Sequence, residues 1–165
     1  MGTQKSISFE MIEAAGISMP TTLKEVLLTR SDLITLSQQA HDACLRPNDP
    51  GGISYTNRAA LAGRIAMLHE ECGLADYYKG MIPTDDSATN IVDPSIALSC
   101  SKAVEAMIKH ADIVTTDPKN VGPKSIRILE SAGVSTTDLV RLSEIIAFMN
   151  YAIRVIKGIR LMGDI

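Results

Sequence analysis

Aromatic side chains are scarce in this sequence of 165 residues, which has no Trp, two Phe and four Tyr. Strands favour aromatic and β-branched residues, whereas Ala, Leu, Ile and Met supply much of the apolar content here and suit helices better. The composition therefore favours packed helices over a β-sandwich. At this length we expect a single domain over residues 1–165.

Charge of one sign and long apolar runs are also lacking. The formal charge is −3, so the basic surface typical of nucleic-acid binding is not expected. Glu144, Arg154, Lys157 and Arg160 interrupt the longest apolar stretch, whereas a bilayer span requires about 20 apolar residues. The first residues lack the apolar core of a secretory signal. We therefore expect a cytoplasmic protein with neither nucleic acid nor membrane as a partner.

Cysteine is limited to Cys44, Cys72 and Cys100, which lie far apart on predicted helices. An odd number without close spacing argues against a disulfide framework and against a Cys-rich zinc site. We expect buried, reduced thiols, with no metal and no cofactor.

Helix start and stop signals divide the chain almost completely into helices. The predicted helices cover residues 8–15, 22–28, 31–44, 54–71, 74–79, 94–115, 124–131 and 135–161. Their predicted N-terminal caps are Thr22, Ser31 or Asp32, Ser54, Asp93 and Ser135. Gly73 is predicted to mark a break or a kink before the short helix over 74–79. Residues 1–20 are expected to be flexible and residues 80–94 to form a long loop, a feature that is uncommon unless mobile or functional.

The last helix has apolar residues on two sides. One stripe at steps of three and four consists of Leu139, Leu142, Ile145, Ile146, Met149, Ile153, Ile156 and Ile159. A second side adds Val140, Phe148, Val155 and Leu161. Such a helix needs cover from its own domain and from another surface, so we expect an oligomer. The helix over 31–44 has one apolar face, formed by Leu33, Leu36, Ala40 and Cys44.

Two stretches carry a family resemblance. The first is residues 33–78, above all Asp49-Pro-Gly-Gly-Ile-Ser-Tyr-Thr-Asn-Arg58. The second combines residues 111–118 and 129–135 with Ile146-Ala-Phe-Met-Asn-Tyr-Ala-Ile-Arg154. Together they resemble the carboxymuconolactone decarboxylase and alkylhydroperoxidase D-like superfamily, in particular its peroxidase-related branch. The resemblance implies an all-α helical bundle that assembles into a dimer, trimer or hexamer.

The redox motif of that superfamily is missing from this sequence. The resemblance implies a Glu after an Arg, a Cys-x-x-Cys pair on a helix and a His four residues further on. With Arg58 aligned to the Arg, these positions hold Ala59, Glu71, Leu74 and Tyr78. A shift of one residue places Cys72 at the first thiol, but the other positions are then Ala60, Ala75 and Lys79.

Three functional hypotheses follow. The first is a degenerate member of the superfamily that acts as an oligomeric binding or scaffolding subunit, alongside a paralogous subunit that keeps the Cys pair. The second is an enzyme of decarboxylase or hydrolase type, with a small organic acid or lactone bound beside residues 71–78. The third is an antioxidant peroxidase that uses Cys72 with a thiol from another subunit. The pocket candidates are His69, Glu71, Cys72 and Tyr78.

Other polar residues have simpler interpretations. His69 with Cys72, and His41 with Cys44, have a spacing of three that can share a metal, but further ligands are lacking. His110 is interpreted as a favourable partner for the dipole at a helix C-terminus. Glu70, Glu71 and Glu144 are open as general acids or bases. Asn150 and Arg154 are interpreted as structural, binding a neighbouring helix terminus or subunit.

Overall fold

The computed structural model describes residues 10–17 and 20–163. No strand occurs among these residues, so the all-α prediction is confirmed. The helices are α1 Glu10–Ala14, α2 Thr21–Leu28, α3 Ser31–Leu45, α4 Tyr55–Leu68, α5 Cys72–Lys79, α6 Lys102–Thr116, α7 Pro123–Ser131 and α8 Thr136–Gly163. Short 3-10 turns cover Ser87–Ile91 and Pro118–Asn120. None of the described helices is long and apolar enough to cross a bilayer.

The long helix α8 forms the centre of the bundle. It packs against α1, α3, α4, α6 and α7, and all eight residues of its predicted apolar stripe are buried. The residues of the second apolar side differ in burial. Phe148 lies in the core, whereas Val140 and Leu161 are exposed. One face of α8 thus fills the core, and only part of the other needs cover.

Helix α4 lies almost entirely inside the bundle. Ser54 caps it, since its Oγ accepts a hydrogen bond from the N–H of Asn57, as predicted. Its small buried residues let neighbouring helices approach closely. These residues are Ala59, Ala60, Ala62, Gly63 and Ala66. The same helix buries two arginines.

Arg58 and Arg64 connect α4 to neighbouring segments of the chain. Arg58 is 2% exposed and donates to the carbonyls of Cys44, Pro50 and Ile53. Arg64 forms a bidentate ion pair with Asp112 at 2.7 and 2.8 Å. A planar guanidinium with five donors suits both tasks. Both arginines therefore have structural roles.

Helix α3 turns its predicted apolar face outwards. It buries Ser37 and His41, while Leu33 and Leu36 are 45% and 58% exposed, and Ala40 is exposed too. Its N-cap residue is Arg30, without a side-chain hydrogen bond, so neither Ser31 nor Asp32 caps it.

Helix α6 begins eight residues later than predicted. Asp93 caps only a single turn, in which its carboxylate accepts from the N–H and hydroxyl of Ser95. Arg64 binds the carbonyls of Ile91 and Asp93, which holds this segment in an irregular path. The helix starts at Lys102, where Ser101 accepts from the N–H of Val104.

The predicted loop over 80–94 is partly ordered by the core. It contains the turn Ser87–Ile91, and its apolar side chains Ile82, Ala88, Ile91 and Val92 are buried. Near the N-terminus, α1 ends before Gly16, which has a φ of +65°. Helix α2 begins at Thr21 after Pro20 and has no side-chain cap, so the cap predicted at Thr22 is wrong. Residues 1–9, which include the predicted helix start at 8, lie outside the described residues.

Candidate functional site

The turn between α4 and α5 shapes the region of the predicted site. Glu70 has a φ of +63°, its N–H donates to the carbonyl of Met67, and the N–H of Glu71 donates to that of Ala66. This is the Schellman pattern that ends a helix, with Glu70 in the left-handed position that usually holds Gly. The helix predicted to reach Glu71 therefore ends at Leu68.

Gly73 does not separate the two helices; the interruption between α4 and α5 lies at Glu70 instead. Gly73 lies within α5, and a Cβ atom there would stand 2.9 Å from the carbonyl oxygen of Ala14. The glycine is needed because α1 passes so close to α5. Since the break at Glu70 separates His69 from Cys72, the two residues do not share a helix as a metal pair would.

Glu71, one of the predicted pocket candidates, is held by an ion pair. The guanidinium of Arg160 donates to both carboxylate oxygens at 2.7 and 2.8 Å, and Glu71 is 5% exposed. The hydrogen bonds from Arg160 lower the pKa of Glu71 despite the opposing effect of burial. Glu71 is therefore ionised at neutral pH and is a poor general acid.

His69 belongs to a hydrogen-bond chain that joins three helices. Its Nε2 lies 2.9 Å from Oδ1 of Asn150 on α8, and the amide of Asn150 donates to Thr115 on α6 and to the carbonyl of Ile146. Lys157 donates to the carbonyl oxygen of His69. The imidazole thus connects the end of α4 to the middle of α8.

A shallow groove of about 330 Å³ opens beside this turn. His69 and Glu71 line it together with Lys157 and Arg160. Two of the four predicted site residues therefore share a surface depression, but the pairings just described engage the carboxylate of Glu71 and Nε2 of His69.

Cys72 and Tyr78 lie apart from that groove. Cys72, the first residue of α5, is exposed and not in a disulfide. Tyr78 is fully buried and stacks on His41 with ring centroids 6.0 Å apart. Burial raises the pKa of the Tyr78 hydroxyl, which has no hydrogen-bond partner among the described residues. The four predicted residues therefore do not converge on one site.

The thiols are less buried than predicted. Cys72 and Cys100 are exposed, and Cys44 is half-buried. Cys100 lies in the irregular segment before α6 rather than on a helix. The Sγ of Cys44 faces the carbonyl of Glu144 at 3.8 Å, while Nδ1 of His41 binds Asp42 at 3.0 Å. Within the described part of the chain, no group of three or more His, Cys, Asp or Glu is placed to hold a metal.

A second pocket, about 290 Å³ in volume, lies between α6 and α8 and was not predicted from sequence. His110, Asn150 and Arg154 line it, with Val114 and Ile146 among its apolar walls. The spacing of Asn150 and Arg154, four residues apart, was visible in the sequence. Their convergence with His110 depends on how α6 crosses α8, which the sequence does not display.

His110 in this pocket differs from its predicted role. It lies six residues before the end of α6 and is 8% exposed, and burial lowers its pKa. The imidazole is therefore neutral at pH 7 and does not act as a cation on the helix dipole. Its Nδ1 is buried without a hydrogen-bond partner among the described residues.

Asn150 and Arg154 do bind backbone and helix ends. Asn150 reaches His69 at the end of α4 and Thr115 near the end of α6. Arg154 donates to the carbonyl of Asn150 at 2.7 Å. Asn150 is therefore structural, whereas Arg154 has donors left over, because a guanidinium carries five.

The described residues thus form a helical bundle in which His69 lines a shallow groove and Asn150 lines a small pocket, and a hydrogen bond joins these two side chains. No protein-family model matches the chain. No curated protein matches it either.

Proposed function

We propose that this protein is a degenerate member of the alkylhydroperoxidase D-like superfamily, without thiol chemistry, that works as an oligomeric binding or scaffolding subunit. The observation that carries the proposal is the state of the two thiol positions. Glu71 is locked in a bidentate ion pair with Arg160, and Leu74 is fully buried in the core. Both positions serve packing, which leaves no dithiol to reduce a peroxide.

The remaining motif positions support the same reading. Ala59 and Tyr78 stand where the family has a Glu and a His, and both are buried in the hydrophobic core. A peroxidatic Cys needs a nearby base or positive charge to form the thiolate and a resolving thiol to complete the cycle. Cys72 is exposed without a second Cys on its helix, so oxidation there would stop at a sulfenic acid or a higher state.

A peroxidase assay tests this proposal. The protein is mixed with hydrogen peroxide or an organic hydroperoxide and a dithiol reductant, and consumption of the reductant is followed. We expect no turnover above the protein-free rate, both in the unmodified chain and in Cys72→Ser. Robust turnover that Cys72→Ser abolishes would show instead a peroxidase based on Cys72.

The assembly part of the proposal rests on the outward face of α3. Leu33, Leu36 and Ala40 are exposed on one side of this helix, while both polar and apolar residues are buried on its inner side. The hydroxyl of Ser37 contacts that of Tyr151 at 3.0 Å, which places the half-exposed Tyr151 ring beside this face. A helix with its apolar side in solvent is typical of a protein interface. The proposed occupant is a second copy of the chain; a paralogous subunit with the Cys pair is the alternative partner.

The decarboxylase or hydrolase hypothesis finds less support around residues 71–78. The inward side of this segment is filled, since Leu74, Ala75 and Tyr78 are all buried. A substrate pocket would need converging polar groups around open space. The nearby groove offers the Glu71–Arg160 pair instead, in which the carboxylate is already neutralised by its partner.

A further inference from the structure

We infer that the pocket between α6 and α8 binds a small organic acid, with its carboxylate on Arg154 and its apolar body between the two helices. The inference gives a ligand class to the proposed binding role and rests on it. The pocket is distinct from the groove beside Glu71, because the two have no lining residue in common.

Arg154 supplies the charge for a carboxylate. Arg46, Arg64, Arg141 and Arg160 each form an ion pair with a carboxylate of the chain. Arg154 forms none with any described residue, and its one hydrogen bond, to the carbonyl of Asn150, tethers the guanidinium at the mouth of the pocket. A guanidinium held in place with further donors is suited to bidentate recognition of a carboxylate.

His110 gives the second polar group. Its side chain is more than nine-tenths buried and borders the pocket, yet Nδ1 has no partner among the described residues. Buried polar groups are nearly always hydrogen-bonded, so an orphan beside a cavity indicates a site whose partner is supplied from outside the chain. The inference places a ligand oxygen at this nitrogen, which donates to it when the single N–H of the neutral imidazole is on Nδ1.

The walls and volume define the rest of the ligand. Val114, Ile146 and Ala147 present aliphatic surface, which suits a hydrocarbon body. A volume of about 290 Å³ lies at the lower end of ligand pockets, which span about 300–1,000 Å³. A short-chain acid fits these properties, whereas a peptide or nucleotide exceeds them.

Calorimetric titration with hexanoate and its neutral counterpart hexanamide tests the inference. We expect hexanoate to bind at least about tenfold more tightly than hexanamide, because a hydrogen bond between two charged groups lowers the Kd by about tenfold or more. Arg154→Gln should remove this preference, and Arg127→Gln, which changes an arginine on α7 outside the pocket, should preserve it. Ala147→Leu should abolish binding of both compounds by filling the cavity.

NMR on the unmodified protein gives an independent readout. The imidazole resonances of His110 should shift on addition of hexanoate, while those of the buried His41 should not. Equal binding of hexanoate and hexanamide, full binding by Arg154→Gln, or no binding at millimolar hexanoate would overturn the inference. Those outcomes leave the peroxidase result unaffected, and peroxidase turnover would overturn the proposed function without touching the binding data.

Discussion

Arg160 joins three distant parts of the chain through one side chain. Its guanidinium binds both oxygens of Glu71 at the start of α5 and the carbonyl of Ala15 after α1. Glu71 is the nearly buried partner of the pair, and Arg160 the more exposed one. Loss of the carboxylate charge therefore removes an interaction that solvent cannot fully replace.

Replacement of Glu71 by Gln should make the protein less stable at neutral pH. We expect a loss of about 1–3 kcal/mol, the usual cost of leaving a buried polar group without its partner. Because the pKa of Glu71 is below its ordinary value of 4.5, its stabilising contribution is complete above pH 4.5 and disappears as the pH falls through the lowered pKa.

Denaturant unfolding from pH 7 down to pH 2 measures this effect. The difference between the unmodified protein and Glu71→Gln should shrink towards zero at the acid end. Glu70→Gln, at the exposed neighbouring position, is the matched control and should follow the unmodified protein throughout. A constant difference at all pH values would mean that the ion pair does not supply the stability.

Single side chains also show where sequence reasoning stops. Ser54 and Gly133 signal helix ends by their own chemistry, and the structure agrees: Ser54 caps α4, and Gly133 has a φ of +90° after α7. Glu70 carries no such signal, since the left-handed position after a helix usually holds Gly or Asn rather than Glu. The ion pair of Glu71 is likewise invisible, because its partner lies 89 residues away.

Helix α6 illustrates a local signal overridden by a distant residue. Asp93-Pro94 has the form of a cap followed by a first helical residue. Arg64 binds the carbonyls of Ile91 and Asp93 from α4, and the chain then runs irregularly to Ser101. Sequence predicted the C-terminal half of the helix well, since Met107 and Ala111 are buried as expected, but it misplaced the beginning.

The two candidate caps of α6 can be separated by mutation. Ser101→Ala should lower the free energy of unfolding by about 0.5–2 kcal/mol, the usual cost of losing a serine cap. Asp93→Ala should leave α6 unaffected, because the carboxylate of Asp93 accepts only from Ser95 within its own turn. The N–H of Val104 donates to the hydroxyl of Ser101. Its hydrogen exchange should therefore be faster in Ser101→Ala and unchanged in Asp93→Ala. Faster exchange in Asp93→Ala alone would favour the start predicted from sequence.

The assembled state depends on which apolar surfaces the bundle leaves uncovered. The sequence predicted the helix content and the buried stripe of α8, because periodicity records them directly. It also placed Leu33 and Leu36 on one face of α3, but it could not tell whether that face points inwards. The structure turns Ser37, His41 and Leu45 inwards. Leu33 and Leu36 stay exposed, which makes their face a candidate interface.

Leu36→Glu should therefore disrupt the proposed oligomer. A charge in the middle of an apolar interface is unfavourable without a partner, whereas at an exposed position of a monomer it changes stability by only about 0.5 kcal/mol. Light scattering coupled to size exclusion should show a dimer or larger for the unmodified chain and a smaller species for the variant.

Ile128→Glu is the control for the interface, since Ile128 is exposed on α7 at 54%, away from the face formed by Leu33, Leu36 and Ala40. It should keep the mass of the unmodified protein. A stable monomer of the unmodified chain at micromolar concentration would contradict the proposed assembly.

The central position of α8 has a consequence for biosynthesis. Among the described helices it comes last in the chain, yet α1, α3, α4, α6 and α7 all pack against it. During translation the earlier helices emerge with their inner faces exposed, because the surface that covers them has not been made. Domains assembled through such distant contacts complete folding late and expose apolar surface until then. We therefore expect chaperones to bind the nascent chain until α8 has left the ribosome.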